Sequence, residues 1–284
     1  MRPVRHGAVP PPALLLVAHG SRDPRHGATV AALAARVRAR LAGVAVAVSY
    51  LDFDAPRVPQ ALAALAAAGH RRAVAVPLLL TRAFHAKWDV PSVLAAARPP
   101  GLEVCQAPVL GPSALLTAAL ERRLAQVGVR TADAPSTGIV LAAAGSSDPE
   151  AIAGIAHVAR EWRRRSGWCA VRPAFASAAL PTPAEAVRAL RADGVRRVAV
   201  APYVLAPGRL PDRVAAGAAE TGALLAPVLG AAPEVAELVV SRYSEFLPKE
   251  IRDGFTAGSF ATGSFVTGSL HAREYAVSLP TVAL

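Results

Sequence analysis

Three residues with metal-binding side chains recur at equal spacing in the first half of this 284-residue chain. His19, Asp52 and His85 are separated by 33 residues each time, and each lies at or just after the end of an apolar run. Two imidazoles and a carboxylate make a plausible but incomplete coordination shell for a divalent transition metal. Because such a shell keeps positions vacant, the spacing predicts a reactive or transferable metal rather than a closed structural site.

The elements that must position these side chains alternate between strands and helices. The run ALLLVA at 13–18 is continuously apolar, which is typical of a strand buried on both faces. Further strands are predicted at 44–53, 73–80 and 102–110, and residues with helical spacing follow the strands. This alternation predicts a parallel sheet with helices on both faces. The carboxyl ends of its strands share one edge, so we expect the three side chains to converge there.

The whole βα pattern occurs twice in the chain. A shift of 125 residues aligns the GSRDP loop at 20–24 with GSSDP at 145–149, and RRAVAVP at 71–77 with RRVAVAP at 196–202. The repeat predicts an α/β protein of two similar doubly wound parallel-sheet lobes, at 13–128 and 138–246, which face a central cleft. The segment TADAPST is interpreted as the linker, and the small-residue tail at 248–284 is predicted to be disordered.

The second copy keeps the scaffold but loses all three candidate ligands. The same shift of 125 residues carries His19 to an alanine, Asp52 to a serine and His85 to a leucine, which are Ala144, Ser177 and Leu210. A histidine at a strand end often only caps or hydrogen-bonds its surroundings, and Asp52 or Asp54 could cap a turn. A supporting role of that kind should be needed in both copies. The loss therefore favours a single functional site, made by the first lobe and walled by the second.

Other residues of the first loop have weaker claims to chemistry. His26 is interpreted either as solvent-exposed or as a secondary ligand. Ser21 and Asp23 most simply cap the helix that follows, with Pro24 in its first turn. The loop is not a G-x-S-x-G nucleophile elbow, lacks the lysine of a phosphate-binding P-loop and is not G-x-G-x-x-G. No nucleotide cofactor is therefore expected.

Composition restricts the class of protein and of partner. The net charge is +11, and arginine supplies nearly all of the positive charge. Scattered arginines with only 5% aromatic residues disfavour nucleic acid, so the charge reflects either genome composition or an acidic substrate. The apolar runs are too short for a membrane span, and two cysteines allow no disulfide framework. We expect a cytoplasmic protein without a membrane partner.

Three motifs together resemble the sirohydrochlorin chelatases, the type II chelatases of the CbiX and SirB kind. They are the strand ending in AHGSRDP, the carboxylate at the end of the second strand, and the run PLLLTRAFHAKWDVP. The resemblance covers about residues 13–246. It implies a long, two-lobed member that inserts Fe²⁺ or Co²⁺ into sirohydrochlorin, in sirohaem or cobalamin biosynthesis. It also implies a monomer, in which the fused lobes act as a pseudo-dimer around the flat tetrapyrrole.

The resemblance also assigns roles to particular residues. His19 and His85 match the metal-binding histidines of the family, and Asp52 stands where family members commonly have glutamate, one methylene longer. In the implied mechanism the two imidazoles hold the metal, while Asp52, and also His19, accept protons from the pyrrole nitrogens. The loop TRAFH departs from the glycine-containing form often found before this histidine.

The tetrapyrrole is acidic, which gives the arginine excess a candidate partner. The loop residues predicted to bind it are Ser21, Arg22, Arg82 and Arg209. The alternatives are insertion of nickel or another metal, or a different macrocycle, because histidine ligands accept several divalent metals. A metal or tetrapyrrole carrier without turnover and, on charge alone, a nucleic-acid-binding protein are the other classes that remain open.

Overall fold

The protein is described by a computed structural model that covers residues 10–81 and 89–247. His85 and Arg82, together with the tail at 248–284, lie outside the described residues. The elements of the first lobe are, in order, β1 (Ala13–Ala18), α1 (Pro24–Arg40), β2 (Val46–Tyr50), α2 (Val58–Ala67), β3 (Arg72–Pro77), α3 (Val90–Ala97), β4 (Glu103–Gln106) and α4 (Ala114–Gln126).

The second lobe repeats this order after a short 3-10 helix at Thr131–Ser136. Its elements are β5 (Thr137–Ala143), α5 (Pro149–Ser166), β6 (Ala170–Phe175), α6 (Pro183–Ala192), β7 (Arg197–Tyr203), α7 (Arg209–Thr221), β8 (Leu224–Leu225) and α8 (Pro233–Ser244). The segment that the sequence suggests is a linker is therefore mostly a helical turn, and its last residue already starts β5.

Within the described residues, the strands form two four-stranded parallel sheets with matching order. The first sheet has the order β2-β1-β3-β4 and the second β6-β5-β7-β8. The duplicated α/β fold predicted from the sequence is thus confirmed. In the first sheet, β2 pairs with one side of β1 and β3 pairs with the other side, so a crevice opens at the carboxyl ends of β1 and β3. In the second sheet β5 and β7 have the same arrangement. The strands end earlier than their apolar runs, β2 at Tyr50 and β3 at Pro77.

Local sequence signals explain why the helices begin where they do. The Asp23 side chain accepts a hydrogen bond from the Arg25 N–H at the start of α1, and Asp148 does the same for Glu150 at the start of α5. A proline follows each of these aspartates, where its fixed φ suits the first turn. The capping role predicted for the aspartates of the two repeated loops is confirmed.

The two lobes share one central apolar core. Side chains of α1, α4, α5 and α8 pack together in it, between the two sheets, whereas α2 with α3 and α6 with α7 cover the outer faces. The last helix of each lobe contacts the opposite sheet, since α4 packs on β7 and α8 packs on β3. Tyr243 of α8 is fully buried and donates a hydrogen bond to the Pro12 carbonyl over 2.6 Å. The lobes are therefore interlocked rather than merely tethered.

No helix in the described part of the chain combines the length and the hydropathy that a membrane crossing requires.

Candidate metal and tetrapyrrole cleft

The loops after β1 and β2 are joined backbone to backbone beside His19. The Asp52 N–H donates to the His19 carbonyl over 2.8 Å, and Gly20 has a φ of +92°. A Cβ at Gly20 would lie 1.7 Å from the Asp52 carbonyl oxygen. Glycine is therefore required here both for the close approach of the two loops and for the left-handed backbone.

The second copy retains the same loop geometry without the histidine and the carboxylate. Gly145 has a φ of +93°, and a Cβ there would lie 1.8 Å from the Ser177 carbonyl oxygen. The Ser177 hydroxyl donates to the carbonyl of Ala144, the residue that replaces the histidine. The repeated glycine thus serves the scaffold, because it is needed equally where no ligand remains.

A cavity of about 420 Å³ lies between the carboxyl ends of the two sheets. His19, Gly20 and Ser21 line its first-lobe wall together with the segment 78–81 at the end of β3. The facing wall comes from the second lobe and is mostly apolar, with Ala144, Gly145, Ile152, Ile155, Phe175, Tyr203, Leu205 and Leu210 among its residues. The cleft therefore has one wall with polar and titratable side chains and one mostly apolar wall, which can pack against an apolar surface.

The His19 imidazole is held at this wall by its own loop and by an aromatic neighbour. Its Nδ1 lies 3.2 Å from the Gly20 carbonyl oxygen. A carbonyl can only accept, so this hydrogen bond places the proton on Nδ1 and the lone pair that can ligate a metal on Nε2. The Phe53 ring stacks on the imidazole, and the Arg22 guanidinium lies 5.2 Å from the centroid of the same ring.

The Asp52 carboxylate turns toward a cation of its own loop. It accepts hydrogen bonds from the Phe53 N–H and the Arg57 guanidinium, both over 2.9 Å, and about half of its side chain is exposed. The hydrogen bond from Phe53, and then that from Arg57, hold the pKa of the Asp52 carboxyl below its usual range. The structure brings the backbone of Asp52 to His19, but Asp52 is not among the described residues that line the cavity.

A second carboxylate of the same loop contacts the loop and the helix that follow β1 instead. Asp54 accepts a hydrogen bond from the Ser21 N–H over 2.9 Å, and its Oδ2 lies 3.8 Å from Nδ1 of His26. His26 lines the cavity with His19. From the sequence, His26 is only a weak candidate ligand and Asp54 only a possible turn cap. Their positions nevertheless carry the same signal as the three candidate ligands, since the shift of 125 residues converts them to Ala151 and Ala179.

The predicted arginines lie at the mouth of the cleft, as far as the structure describes them. Arg22 and Arg209 line a groove together with Ser21 and Arg213, and Arg209 also lines the cavity itself. Beside them the Arg25 guanidinium bridges Asp23 and Asp212, at 2.5 and 2.8 Å, and so connects the two lobes. Ser21 also supports the start of α1, because its hydroxyl accepts a hydrogen bond from the N–H of the capping residue Asp23 over 3.1 Å.

The complete metal site predicted from the sequence cannot be assembled from the described residues alone. Among them, no group of three or more histidine, cysteine, aspartate or glutamate side chains is placed to hold a metal ion. His85 belongs to the segment 82–88, outside the described residues, and Thr81 just before it lines the cavity. His19 is thus the predicted metal ligand that the structure places in the cleft.

Fold and site together define a two-lobed α/β protein with an asymmetric interlobe cleft. The family model CbiX matches the chain twice, over residues 13–127 and 138–246. The chain therefore belongs to the CbiX family.

Several named proteins are similar to this chain. The sirohydrochlorin ferrochelatase of Bacillus subtilis (strain 168) is 28% identical over 204 residues, which are 71% of this chain and 77% of that protein. The sirohydrochlorin cobaltochelatase of Priestia megaterium is 26% identical over 71% of this chain and 67% of that protein. The solved structure of SirB from Bacillus subtilis with Fe³⁺ superposes with a TM-score of 0.73 at 25% identity, over 88% of this chain and 98% of SirB.

Proposed function

We propose that the protein is a sirohydrochlorin chelatase, which inserts Fe²⁺ or Co²⁺ into sirohydrochlorin without a nucleotide cofactor. The observation that carries this proposal is the position of the His19 imidazole on one wall of an interlobe cleft whose other wall is mostly apolar. The family membership and the two named relatives support the same reaction. The product would enter sirohaem or cobalamin biosynthesis.

Metal insertion requires that the cation lose its water and that two pyrrole nitrogens lose their protons. In the proposed reaction the metal is a substrate, bound first by His19 together with His85. An incomplete shell of neutral imidazoles binds it weakly enough for transfer to the four ring nitrogens of the macrocycle. The apolar second wall holds the other face of the ring, so that the ring nitrogens face His19.

Charge at the mouth of the cleft supports a polycarboxylate substrate. Arg22 and Arg209 lie where the carboxylates at the rim of a bound tetrapyrrole would emerge, and we propose the same role for Arg82. Arginine suits this task because its planar guanidinium binds a carboxylate through two parallel hydrogen bonds. The interlobe core supports a chain that works as a single copy, with its two lobes in place of a dimer.

The lowered pKa of Asp52 changes the role that suits it best. A carboxylate that is stabilised in its charged form by Phe53 and Arg57 is a poorer proton acceptor. Its half-exposed carboxylate, in the loop whose backbone joins that of His19, suits the attraction of an incoming cation instead. We therefore propose that Asp52 steers the metal toward His19, and that pyrrole protons leave through another group.

The test is anaerobic incubation of the purified protein with sirohydrochlorin and Fe²⁺, Co²⁺ or Ni²⁺, followed by visible spectroscopy. We expect metal-dependent conversion well above the spontaneous rate, lost in His19→Ala and retained in His70→Ala. His70 is the matched control because it precedes β3 at the opposite edge of the sheet. Tight binding of sirohydrochlorin without faster insertion of any metal would favour a carrier. No binding of sirohydrochlorin would show that it is not the substrate.

A further inference from the structure

We propose that His26, oriented by Asp54, is a proton-accepting catalytic residue of the cleft and takes a proton from a pyrrole N–H during metal insertion. This inference rests on the proposed chelatase function and adds to it the group that removes the proton. It separates two tasks that the resemblance assigns partly to the same residue, since His19 would hold the metal while His26 accepts the proton.

The geometry of His26 is that of an imidazole paired with a carboxylate. His26 lies in the first turn of α1, lines the same cavity as His19, and exposes 15% of its side chain. Its Nδ1 is buried and has no hydrogen-bond partner within the part of the chain that the structure describes. Asp54 Oδ2 lies 3.8 Å from that nitrogen, a gap that a small rotation of the imidazole would close.

Asp54 is itself fixed in place. The Ser21 N–H holds its Oδ2 over 2.9 Å, so the carboxylate is anchored to the loop that carries His19. Once Asp54 accepts the Nδ1 proton of His26, the lone pair of the imidazole lies on Nε2, at the other side of the ring. The Tyr50 ring, with its centroid 6.3 Å from that of His26, packs beside the imidazole from β2.

The surrounding charges keep this imidazole in the form that can accept a proton. Burial lowers the pKa of His26, the Asp54 carboxylate opposes this effect, His19 adds to it, and Asp23 at the start of α1 opposes it weakly. His26 is therefore neutral at neutral pH, and the imidazolium that forms on protonation is stabilised by Asp54.

The second copy shows that the pair is not needed for folding of this scaffold. The residues equivalent to His26, Asp54 and Tyr50 are Ala151, Ala179 and Phe175. Ala151 and Phe175 also line the cavity, so the equivalent positions face the same space without any titratable group. The hydrogen bonds at the start of the following helix are the same in both copies, since Asp23 and Asp148 each cap their helix and each donate their backbone N–H to a serine hydroxyl two residues earlier.

The proposed step balances without any further reactant. The pyrrole N–H bond breaks, its electron pair stays on the ring nitrogen and binds the metal, and the proton forms a new bond to Nε2 of His26. The imidazolium then releases the proton to water through the open mouth of the cleft. A second pyrrole proton must leave in the same way in each turnover, so the imidazole has to be regenerated between the two transfers.

The experiment is single-turnover metallation of sirohydrochlorin by Co²⁺ with the wild-type chain and four variants. These are His26→Gln, His26→Ala, Asp54→Asn and the control His70→Gln. We expect His26→Gln to lower the rate constant of insertion by about 100-fold or more, which is the usual contribution of a general base. The Co²⁺ affinity, measured by titration of the metal alone, should stay unchanged, and imidazole added to the buffer should restore part of the rate of His26→Ala.

Asp54→Asn gives a readout that a purely structural role would not change. The amide side chain of this variant retains an oxygen for the Ser21 N–H, but the carboxylate that raises the pKa of His26 is lost. The acidic limb of the pH–rate profile should therefore move to lower pH, while the maximal rate falls.

Each other outcome has a distinct meaning. A wild-type rate in His26→Gln overturns the inference and leaves the chelatase function intact. A weaker Co²⁺ affinity at an unchanged insertion rate also overturns it and makes His26 a metal ligand. If His26→Gln is unfolded by circular dichroism, the imidazole rescue of His26→Ala and the pH–rate profile of Asp54→Asn decide, and absence of both effects overturns the inference. A wild-type chain that accelerates insertion of no metal rejects the proposed function itself.

Discussion

The Phe53 ring stacks on the His19 imidazole, with the two ring centroids 6.3 Å apart and the ring planes inclined by 20°. Phe53 has a φ of +62°, and half of its surface is exposed. The equivalent residue of the second lobe, Ala178, has a φ of +59°. The unusual backbone is therefore common to both lobes, whereas the aromatic ring is present only beside the candidate metal ligand. A bulky residue rarely adopts this conformation, which indicates a use for the ring.

Replacement of Phe53 by alanine should weaken binding of the tetrapyrrole. We expect KM for sirohydrochlorin to rise by about 2- to 10-fold, as the loss of one aromatic contact predicts, and the free energy of unfolding to change by less than about 0.5 kcal/mol. Phe53→Tyr keeps the ring and should retain the wild-type KM. Steady-state metallation kinetics check both variants, and an unchanged KM in Phe53→Ala would remove the ring from substrate binding.

Alanine at Gly20 should be more destabilising than alanine at a glycine that only supplies a positive φ. We expect Gly20→Ala and Gly145→Ala each to lower the free energy of unfolding by at least about 2 kcal/mol, because the new Cβ would collide with a carbonyl oxygen. Gly43 also has a positive φ, but nothing lies within 4 Å of a Cβ there, so Gly43→Ala should cost about 1 kcal/mol. Urea unfolding of the three variants tests this order.

The interlobe ion pair between Arg122 and Glu234 should make stability depend on pH. Burial raises the pKa of Glu234, but the Arg122 hydrogen bond over 2.6 Å outweighs it, and the pKa lies below its ordinary value of 4.5. The stabilisation is therefore complete above about pH 4.5 and is lost as the pH falls through the lower folded pKa. Glu234→Gln should cost up to about 1 kcal/mol at pH 7 and a smaller amount at pH 3.

The control for this prediction is a pair of similar chemistry at the surface. Glu220 pairs with Arg188 within the second lobe, and both side chains are more than half exposed. Glu220→Gln should therefore change the unfolding free energy little at either pH. Equal effects of the two substitutions at pH 7 would contradict a specific contribution of the interlobe pair.

A histidine placed on the opposite wall should not replace His19. In the double variant His19→Ala, Ala144→His, we expect metallation to stay at the level of His19→Ala alone. The new imidazole would follow β5 in an equivalent loop, but Ser177 and Leu210 stand where a carboxylate and a second histidine would be needed. Recovery to more than about a tenth of the wild-type rate would show that both walls can act and that the asymmetry is incidental.

Much of the fold could be predicted from the sequence because local patterns determine it. Continuous apolar runs such as 13–18 specify strands buried on both faces, and the repeated Asp-Pro pair fixes where α1 and α5 begin. The shift of 125 residues also identifies the same loop, with its positive-φ glycine, after β1 and after β5. Strand ends were less well predicted, since β3 stops at Pro77 although its apolar run continues to residue 80.

Side-chain directions within the candidate site could not be predicted in this way. Asp52 and Asp54 are two residues apart in one loop, and the sequence favours Asp52. The fold turns Asp52 toward Arg57 and Asp54 toward His26. That choice depends on the close approach of two loops separated by 33 residues, which no local pattern encodes.

The sequence by itself determined the duplicated α/β scaffold, the edge of the sheet that carries the candidate site, and the loss of the candidate ligands from one copy. These properties follow from periodicity and from connections between neighbouring elements. Only the tertiary structure decided that α4 and α8 pack on the opposite sheets, that His26 lies partly buried beside Asp54, and that the second wall of the cleft is mostly apolar. Such relationships arise when distant segments exclude water together, so they depend on the whole packed chain rather than on any one stretch of it.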